Sequence, residues 1–277
     1  MIIRIKESDK WNIMSEIKLM KLNNDEMYYS DTGEGIALVF LHGLGCDGRM
    51  FLQQILAFQH QYRVICPDLL GNGKSSILKV PVKQVIEKQA AAVIALLDEL
   101  NIKEAVFCGT SYGGIVCQHI AVNYPNYVKG LVLTDTFSDT TIHNIKEFLN
   151  KMAISASLWL YYCRGLLKWS VKSQYKGFPE AQSYMETIMG NLRSREVVLQ
   201  RRAINQINYT EKIGQLKIPI LLLVGGRYNL LIDYMKRIHQ VMPSSQIKVI
   251  EDSFDPSNML KPDKYNQLLL EFLNTSI

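Results

Sequence analysis

The sequence has few cysteines, little excess charge and no long apolar run, and each absence excludes a class of protein. Its five cysteines are odd in number and lack the spacing of a metal site. We therefore expect reduced thiols in a cytoplasmic protein and no metal site. A formal net charge of +5 without a basic stripe argues against a nucleic-acid partner. No apolar run is long enough to span a membrane, and no signal-peptide core is present, so we expect no membrane partner.

The chain of 277 residues is long enough for one large domain with an insertion. We find no internal repeat and no linker within it. Residues 1–13 have the character of an extension, which makes Met14 an alternative start. Otherwise these residues form a short arm in which Trp11 packs on the domain.

Short apolar runs alternate with helical spacings along most of the chain. Continuous apolar runs are typical of strands that are buried on both faces. Strands that alternate with helices form a mostly parallel sheet covered on both sides, which is an α/β fold. We predict eight strands, with the first two forming a hairpin, in the segments 17–22, 26–30, 36–41, 62–66, 105–108, 131–135, 218–224 and 247–250.

One short motif lies where the fifth of these strands meets a helix. Its sequence is Gly109-Thr110-Ser111-Tyr112-Gly113, which has the form Gly-x-Ser-x-Gly. The glycines permit a sharp strand-to-helix turn with Ser111 at its tip, the arrangement called a nucleophile elbow. Such a turn exposes the hydroxyl and directs N–H groups of the helix start toward whatever Ser111 attacks. Ser111 is therefore the candidate nucleophile.

From about Lys18 onward, the chain resembles the α/β-hydrolase family, and in particular its small-ester and enol-lactone hydrolases. The resemblance rests on the Ser111 motif and on the segments 41–45, 67–75 and 218–225. It implies an α/β-hydrolase sheet, cofactor-independent chemistry and a small-molecule substrate. It also implies that the N–H groups of Leu44 and Tyr112 form an oxyanion hole.

Residues 138–207 differ from the rest, with helical spacings, many aromatic residues and no buried-strand run. This segment resembles the helical cap of the family, inserted after the sixth strand. The core domain then consists of residues 1–137 and 208–277. Aromatic residues at helical spacing usually pack in a core, so we expect most to be packed and a few to line a capped pocket.

Two catalytic positions depart from the family pattern. A serine nucleophile needs a base, normally an imidazole that a carboxylate orients. Here Tyr228 stands at the position of the acid, and Asp255 stands at the position of the histidine. The last histidine of the chain, His239, lies inside the preceding helix. The Ser-His-Asp triad is therefore incomplete.

Other residues are possible substitutes for the missing partners. Asp135 matches an alternative position of the family's acid, and His143 is the one histidine at the cap entrance that can fold back toward Ser111. We expect Asp255 and Tyr228 to lie near Ser111, with the phenol donating to the carboxylate and the carboxylate accepting from the serine. In the alternative arrangement, both side chains face solvent.

Three interpretations of the function remain open. The first is a hydrolase of small esters, lactones or other carbonyl compounds that works through an unusual base. The second is a non-hydrolytic enzyme that uses Asp255 and Tyr228 for proton transfer in an elimination, isomerisation or cyclisation. The third is a catalytically silent protein that binds a small ligand.

Overall fold

The computed structural model describes residues 17–142 and 144–277. The expected N-terminal extension, Met14 and His143 lie outside the described residues. Eight strands form a sheet in the order β1-β2-β4-β3-β5-β6-β7-β8. They are β1 (Lys18–Leu22), β2 (Asp25–Thr32), β3 (Ala37–Leu41), β4 (Arg63–Pro67), β5 (Ala105–Thr110), β6 (Val128–Thr134), β7 (Ile220–Gly225) and β8 (Gln246–Ile250).

The sheet is mostly parallel, as the sequence predicts. β1 pairs antiparallel with β2, and β2 pairs antiparallel with β4. Every later pair is parallel. All residues of β3, β5 and β7 are buried, which explains why each of these strands is a continuous apolar run.

Helices cover both faces of the sheet. Their apolar residues pack on the strands in two buried clusters, one on each face. The described α-helices are α1 (Leu52–Phe58), α2 (Val85–Glu99), α3 (Tyr112–Asn123), α4 (Ile145–Ala156), α5 (Arg164–Gln174), α6 (Pro179–Gly190), α7 (Ser194–Ile204), α8 (Thr210–Ile213), α9 (Asn229–Val241), α10 (Ser257–Leu260) and α11 (Pro262–Ser276).

Helices α4 to α7 lie between β6 and β7 in the chain. Of these, α5, α6 and α7 join a third apolar cluster with residues that follow β3 and β8, among them Leu44 and Phe254. The Tyr175 ring at the end of α5 lies 5.4 Å from the Phe254 ring, centre to centre. These helices therefore contact the edge of the sheet at which the parallel strands end.

The start of α3 packs directly on the end of β3. A methyl group at Gly113 would overlap the carbonyl oxygen of Leu41, and the other nearby atoms also belong to the backbone. By contrast, a methyl group at Gly165, near the start of α5, would meet no atom within 4 Å.

These two glycines give a matched test of the packing around the Ser111 turn. Gly113→Ala should destabilise the protein by about 3 kcal/mol, because only a backbone shift relieves the overlap. Gly165→Ala should leave stability unchanged or raise it by up to about 1 kcal/mol, because alanine favours a helix. Denaturant unfolding measures both changes, and equal stabilities of the two variants would contradict this packing.

Candidate active site

Ser111 occupies a strained turn between β5 and α3. Its φ of 54° and ψ of −115° lie in a region that non-glycine residues rarely adopt. Three hydrogen bonds hold the turn: the Ser111 N–H donates to Thr134 O at 2.8 Å, and the Ser111 carbonyl accepts from Thr136 Oγ1 at 2.8 Å and from the Gly114 N–H at 3.0 Å. The neighbouring strand β6 and the segment after it therefore fix the position of the Ser111 hydroxyl.

The structure brings Ser111 and Asp255 together. The Ser111 hydroxyl donates a hydrogen bond of 2.7 Å to Oδ2 of Asp255, across 144 residues of chain. Asp255 lies in the loop between β8 and α10. The carboxylate therefore stands at hydrogen-bond distance from the serine, where an imidazole stands in a Ser-His-Asp triad.

Tyr228 does not complete the expected chain of hydrogen bonds. Its side chain is 50% exposed, and within the described residues no hydrogen bond joins it to Asp255. Its ring packs at the edge of the Phe254 ring, 5.8 Å away between centres, and its carbonyl accepts from the first turn of α9. The predicted hydrogen bond from Tyr228 to Asp255 is therefore not formed, because the Tyr228 ring packs on Phe254 and its backbone precedes a helix.

A different tyrosine reaches the Asp255 loop. Tyr175 is buried, and its hydroxyl donates to the main-chain carbonyl of Asp255 at 3.5 Å. The sequence pattern does not single out Tyr175 among the many aromatic residues of 138–207. Its position becomes apparent only when α5 is placed against the loop after β8.

Asp135 also holds the loop that contains Asp255 in place. Its carboxylate is buried and accepts from the Gly225 N–H at 2.8 Å and from the Ser257 N–H at 2.7 Å. Burial raises the pKa of Asp135, whereas these two donors favour its charged form. Asp135 therefore connects the ends of β6 and β7 to the start of α10. Its charge also acts on the nearby carboxyl of Asp255.

The surroundings of Asp255 make its carboxyl unusually basic. Burial and, to a smaller extent, the charge of Asp135 together raise its pKa to about 8, although the hydrogen bond from Ser111 opposes both effects. No cation pairs with Asp255 within the part of the chain that the structure describes. At neutral pH most of this carboxyl is protonated, in contrast to an ordinary aspartate.

Leu44 and Tyr112 follow adjacent strands, since Leu41 at the end of β3 pairs with Gly109 of β5. The two loops meet at Ser111, because a Cβ at Gly43 would lie 3.7 Å from the Ser111 Cβ. Neither the Leu44 N–H nor the Tyr112 N–H donates a hydrogen bond to another described residue. Both donors are thus available at this edge of the sheet.

Buried polar contacts hold these two loops. His42 Nδ1 contacts Gly43 O at 2.8 Å, and its Nε2 accepts from the Leu69 N–H at 3.0 Å. Burial lowers the pKa of His42, so the ring is neutral and acts as a brace. The Tyr112 hydroxyl donates to Oε1 of Gln89 at 2.5 Å. Both ring nitrogens of His42 thus contact the backbone, and neither contacts Ser111.

No group of three or more histidine, cysteine or acidic side chains is arranged to hold a metal ion among residues 17–142 and 144–277. Among the described helices, none combines the length and the apolar character that a membrane crossing requires.

The sequence is similar to that of known hydrolases. A model of the alpha/beta hydrolase fold matches residues 36–166. The 3-oxoadipate enol-lactonase 2 of Acinetobacter baylyi is 41% identical over 100 residues, which cover 36% of this chain and 37% of that protein. The pimeloyl-[acyl-carrier protein] methyl ester esterase of Vibrio atlanticus is 24% identical over 263 residues, which cover 90% of this chain and 98% of that protein.

Solved structures agree on the fold. The enol-lactonase of Burkholderia xenovorans has a TM-score of 0.80 at 19% identity, and the match covers 93% of this chain and 100% of that one. The bromoperoxidase of Bacillus anthracis has a TM-score of 0.81 at 20% identity, with 94% and 100% covered. At such identities the likeness shows that the chain has the α/β-hydrolase fold.

The raised pKa of Asp255 predicts a stability change with a definite sign. The folded state holds this proton more tightly than the unfolded state, so the contribution of Asp255 to stability is lost as pH rises from about 4 to about 8. Asp255→Asn removes the buried charge. The variant should therefore match the native protein at about pH 4 and exceed its Tm by several degrees at pH 9.

Thermal unfolding across pH 4 to 9 measures this difference. Asp252→Asn, in the exposed part of the same loop, is the matched control and should show no such trend. A constant Tm difference between Asp255→Asn and the native chain at all pH values would contradict the raised pKa.

Proposed function

We propose that this chain, which has the α/β-hydrolase fold, hydrolyses a small ester or lactone with Ser111 as nucleophile and Asp255 as general base. The observation that carries the proposal is the 2.7 Å hydrogen bond from the Ser111 hydroxyl to an aspartate whose pKa is raised to about 8. Relatives named as an enol-lactonase and a methyl ester esterase support the substrate class.

The raised pKa supplies the basicity that the missing imidazole would otherwise provide. A carboxylate of ordinary pKa is a poor base for a serine hydroxyl, whereas a base that titrates near the working pH is effective. With a pKa of about 8, ionised Asp255 is at least as basic as a free histidine. Burial and the charge of Asp135 thus give the Asp255 carboxylate the basicity that a histidine provides in a Ser-His-Asp triad.

In the first step, ionised Asp255 takes the proton of Ser111 while Oγ attacks the carbonyl carbon of the substrate. The carbonyl π bond breaks, and its oxygen becomes an oxyanion that accepts hydrogen bonds from the N–H groups of Leu44 and Tyr112. The tetrahedral intermediate then collapses to an acyl-serine. The bond to the alcohol oxygen breaks, and protonated Asp255 returns its proton to that oxygen.

In the second step, water replaces the alcohol. Asp255 takes a proton from the water, whose oxygen attacks the acyl carbon, and the Ser111 oxygen leaves with the proton that Asp255 returns. In a lactone the alcohol remains attached to the acyl chain, so that the product is one hydroxy acid. Residues 138–207 act as a cap in this scheme, with Tyr175 holding the Asp255 loop through its main-chain carbonyl.

A second candidate function is proton transfer without an acyl-serine. The observation that favours it is the raised pKa of Asp255, which leaves most of this carboxyl protonated at neutral pH and able to act as an acid. A fluorophosphonate probe separates the two candidates. Covalent labelling of Ser111 supports hydrolysis, whereas unlabelled Ser111 together with a proton-exchange activity that survives Ser111→Ala supports proton transfer.

The hydrolase proposal predicts an unusual pH dependence. Because Asp255 must be ionised to act as base, kcat/KM for a short-chain aryl ester should rise roughly tenfold between pH 7 and pH 9. Ser111→Ala should abolish this activity, and Ser173→Ala, an exposed serine on α5, should retain it. Activity in Ser111→Ala equal to that of the native chain would contradict the assignment.

The position of Asp135 predicts the effect of restoring the imidazole. Asp255→His should raise hydrolysis at pH 7 by roughly tenfold or more, because the buried carboxylate of Asp135 can accept from the ring and orient it. Adding Tyr228→Asp should change the rate little, since Tyr228 is half-exposed. Steady-state kinetics of the three proteins test this, and a gain that requires Tyr228→Asp would place the orienting acid at 228 instead.

A further inference from the structure

Helix α4 exposes its apolar face, whereas a surface helix of a globular domain normally buries that face against the core. Ile145, Leu149 and Met152 are spaced as one apolar stripe, yet all three are exposed, with Ile145 at 67%. Among its described side chains, the buried one is an acid, Glu147, which pairs with Arg237 of α9. The amphipathic character of α4 is therefore directed away from the domain.

The exposed apolar surface continues along the chain. The turn Leu158–Tyr162 packs against both α4 and α5 and exposes Trp159 and Tyr162. On α5, Trp169 is 70% exposed. We call the surface formed by α4, this turn and α5 the outer face. Large apolar side chains that are exposed together on neighbouring elements are typical of an interaction site.

The charge of the outer face is of one sign. Residues 144–178 include six basic residues and one acidic residue, the buried Glu147. Arg164, Lys168 and Lys172 recur every four residues along α5, and no ion pair engages them within the described residues. Tryptophans beside a row of cations on a surface helix are typical of proteins that bind at the interface of an anionic membrane.

We propose that the outer face docks on an anionic phospholipid surface. Lipid headgroups neutralise the cations of α5, while the apolar stripe of α4 and the exposed aromatic rings enter the boundary between headgroups and acyl chains. Docking of this kind lies in the plane of the membrane surface and needs no spanning helix. It is therefore compatible with the lack of a long apolar run, from which the sequence predicts no membrane partner. It is independent of the reaction that Ser111 carries out.

Charge complementarity also decides between a membrane and a second copy of this chain. A symmetric dimer through the outer face would place the same patch against itself. Arg164, Lys168 and Lys172 of one copy would then approach those of the other without acidic partners. An anionic lipid surface removes that repulsion and buries the same apolar residues.

The test is flotation of the full chain with two kinds of vesicle, phosphatidylcholine alone and an equal mixture of phosphatidylcholine and phosphatidylglycerol. The chain should float with the mixed vesicles and at least tenfold less with the neutral ones. Tryptophan emission should shift to the blue on binding, since two of the three tryptophans, Trp159 and Trp169, lie on the outer face.

Two variants with equal changes in charge locate the contact. Arg164→Glu with Lys172→Glu should weaken binding to mixed vesicles at least tenfold, whereas Lys217→Glu with Lys248→Glu, at exposed sites next to β7 and in β8, should leave most of it. Leu149→Ser with Met152→Ser should reduce both binding and the emission shift. Unchanged ester hydrolysis and unfolding temperature show that each variant is folded.

Several results would overturn the proposal. These are equal flotation with neutral and mixed vesicles, no flotation with either, or equal losses in the two charge variants. A dimer that forms without lipid and disappears in Leu149→Ser with Met152→Ser would assign the outer face to a second copy. Size-exclusion chromatography with light scattering detects that dimer.

Discussion

The hydrogen bond between Ser111 and Asp255 depends on how two distant parts of the chain are held. Ser111 keeps its strained backbone because Thr134 and Thr136 bond to it from β6 and the segment beyond. Asp255 keeps its position because Asp135 accepts from the Ser257 N–H in the same loop. Asp135 follows Thr134 directly, so the end of one strand organises both partners.

Burying two carboxyls at one site is costly, and here the cost falls on Asp255. Asp135 receives two backbone donors and can stay ionised, whereas Asp255 receives one hydroxyl. Two neighbouring carboxyls rarely ionise together, so the proton of the pair resides on Asp255. The same arrangement that lowers stability at high pH supplies the basicity for the proposed reaction, a trade-off that is common at functional sites.

Much of the fold follows from the sequence because strands buried on both faces leave continuous apolar runs, as in β5 and β7. Helix α1 gives no such signal, since one of its buried residues is Gln54, which bonds to other buried polar groups. At the site, the motif predicts Ser111, and the loop alignment predicts Asp255. The alignment does not predict that Tyr228 lacks a hydrogen bond to Asp255, because the direction of its side chain is set by packing against Phe254.

The central claim is that the environment turns Asp255 into a base with a pKa of about 8. Carbon-13 NMR of the chain labelled at aspartate carboxyls measures this directly. One carboxyl should titrate near pH 8, and its signal should be absent from Asp255→Asn. If every aspartate of the native protein titrates below about pH 5, as ordinary carboxyls do, Asp255 is not the base that this account requires.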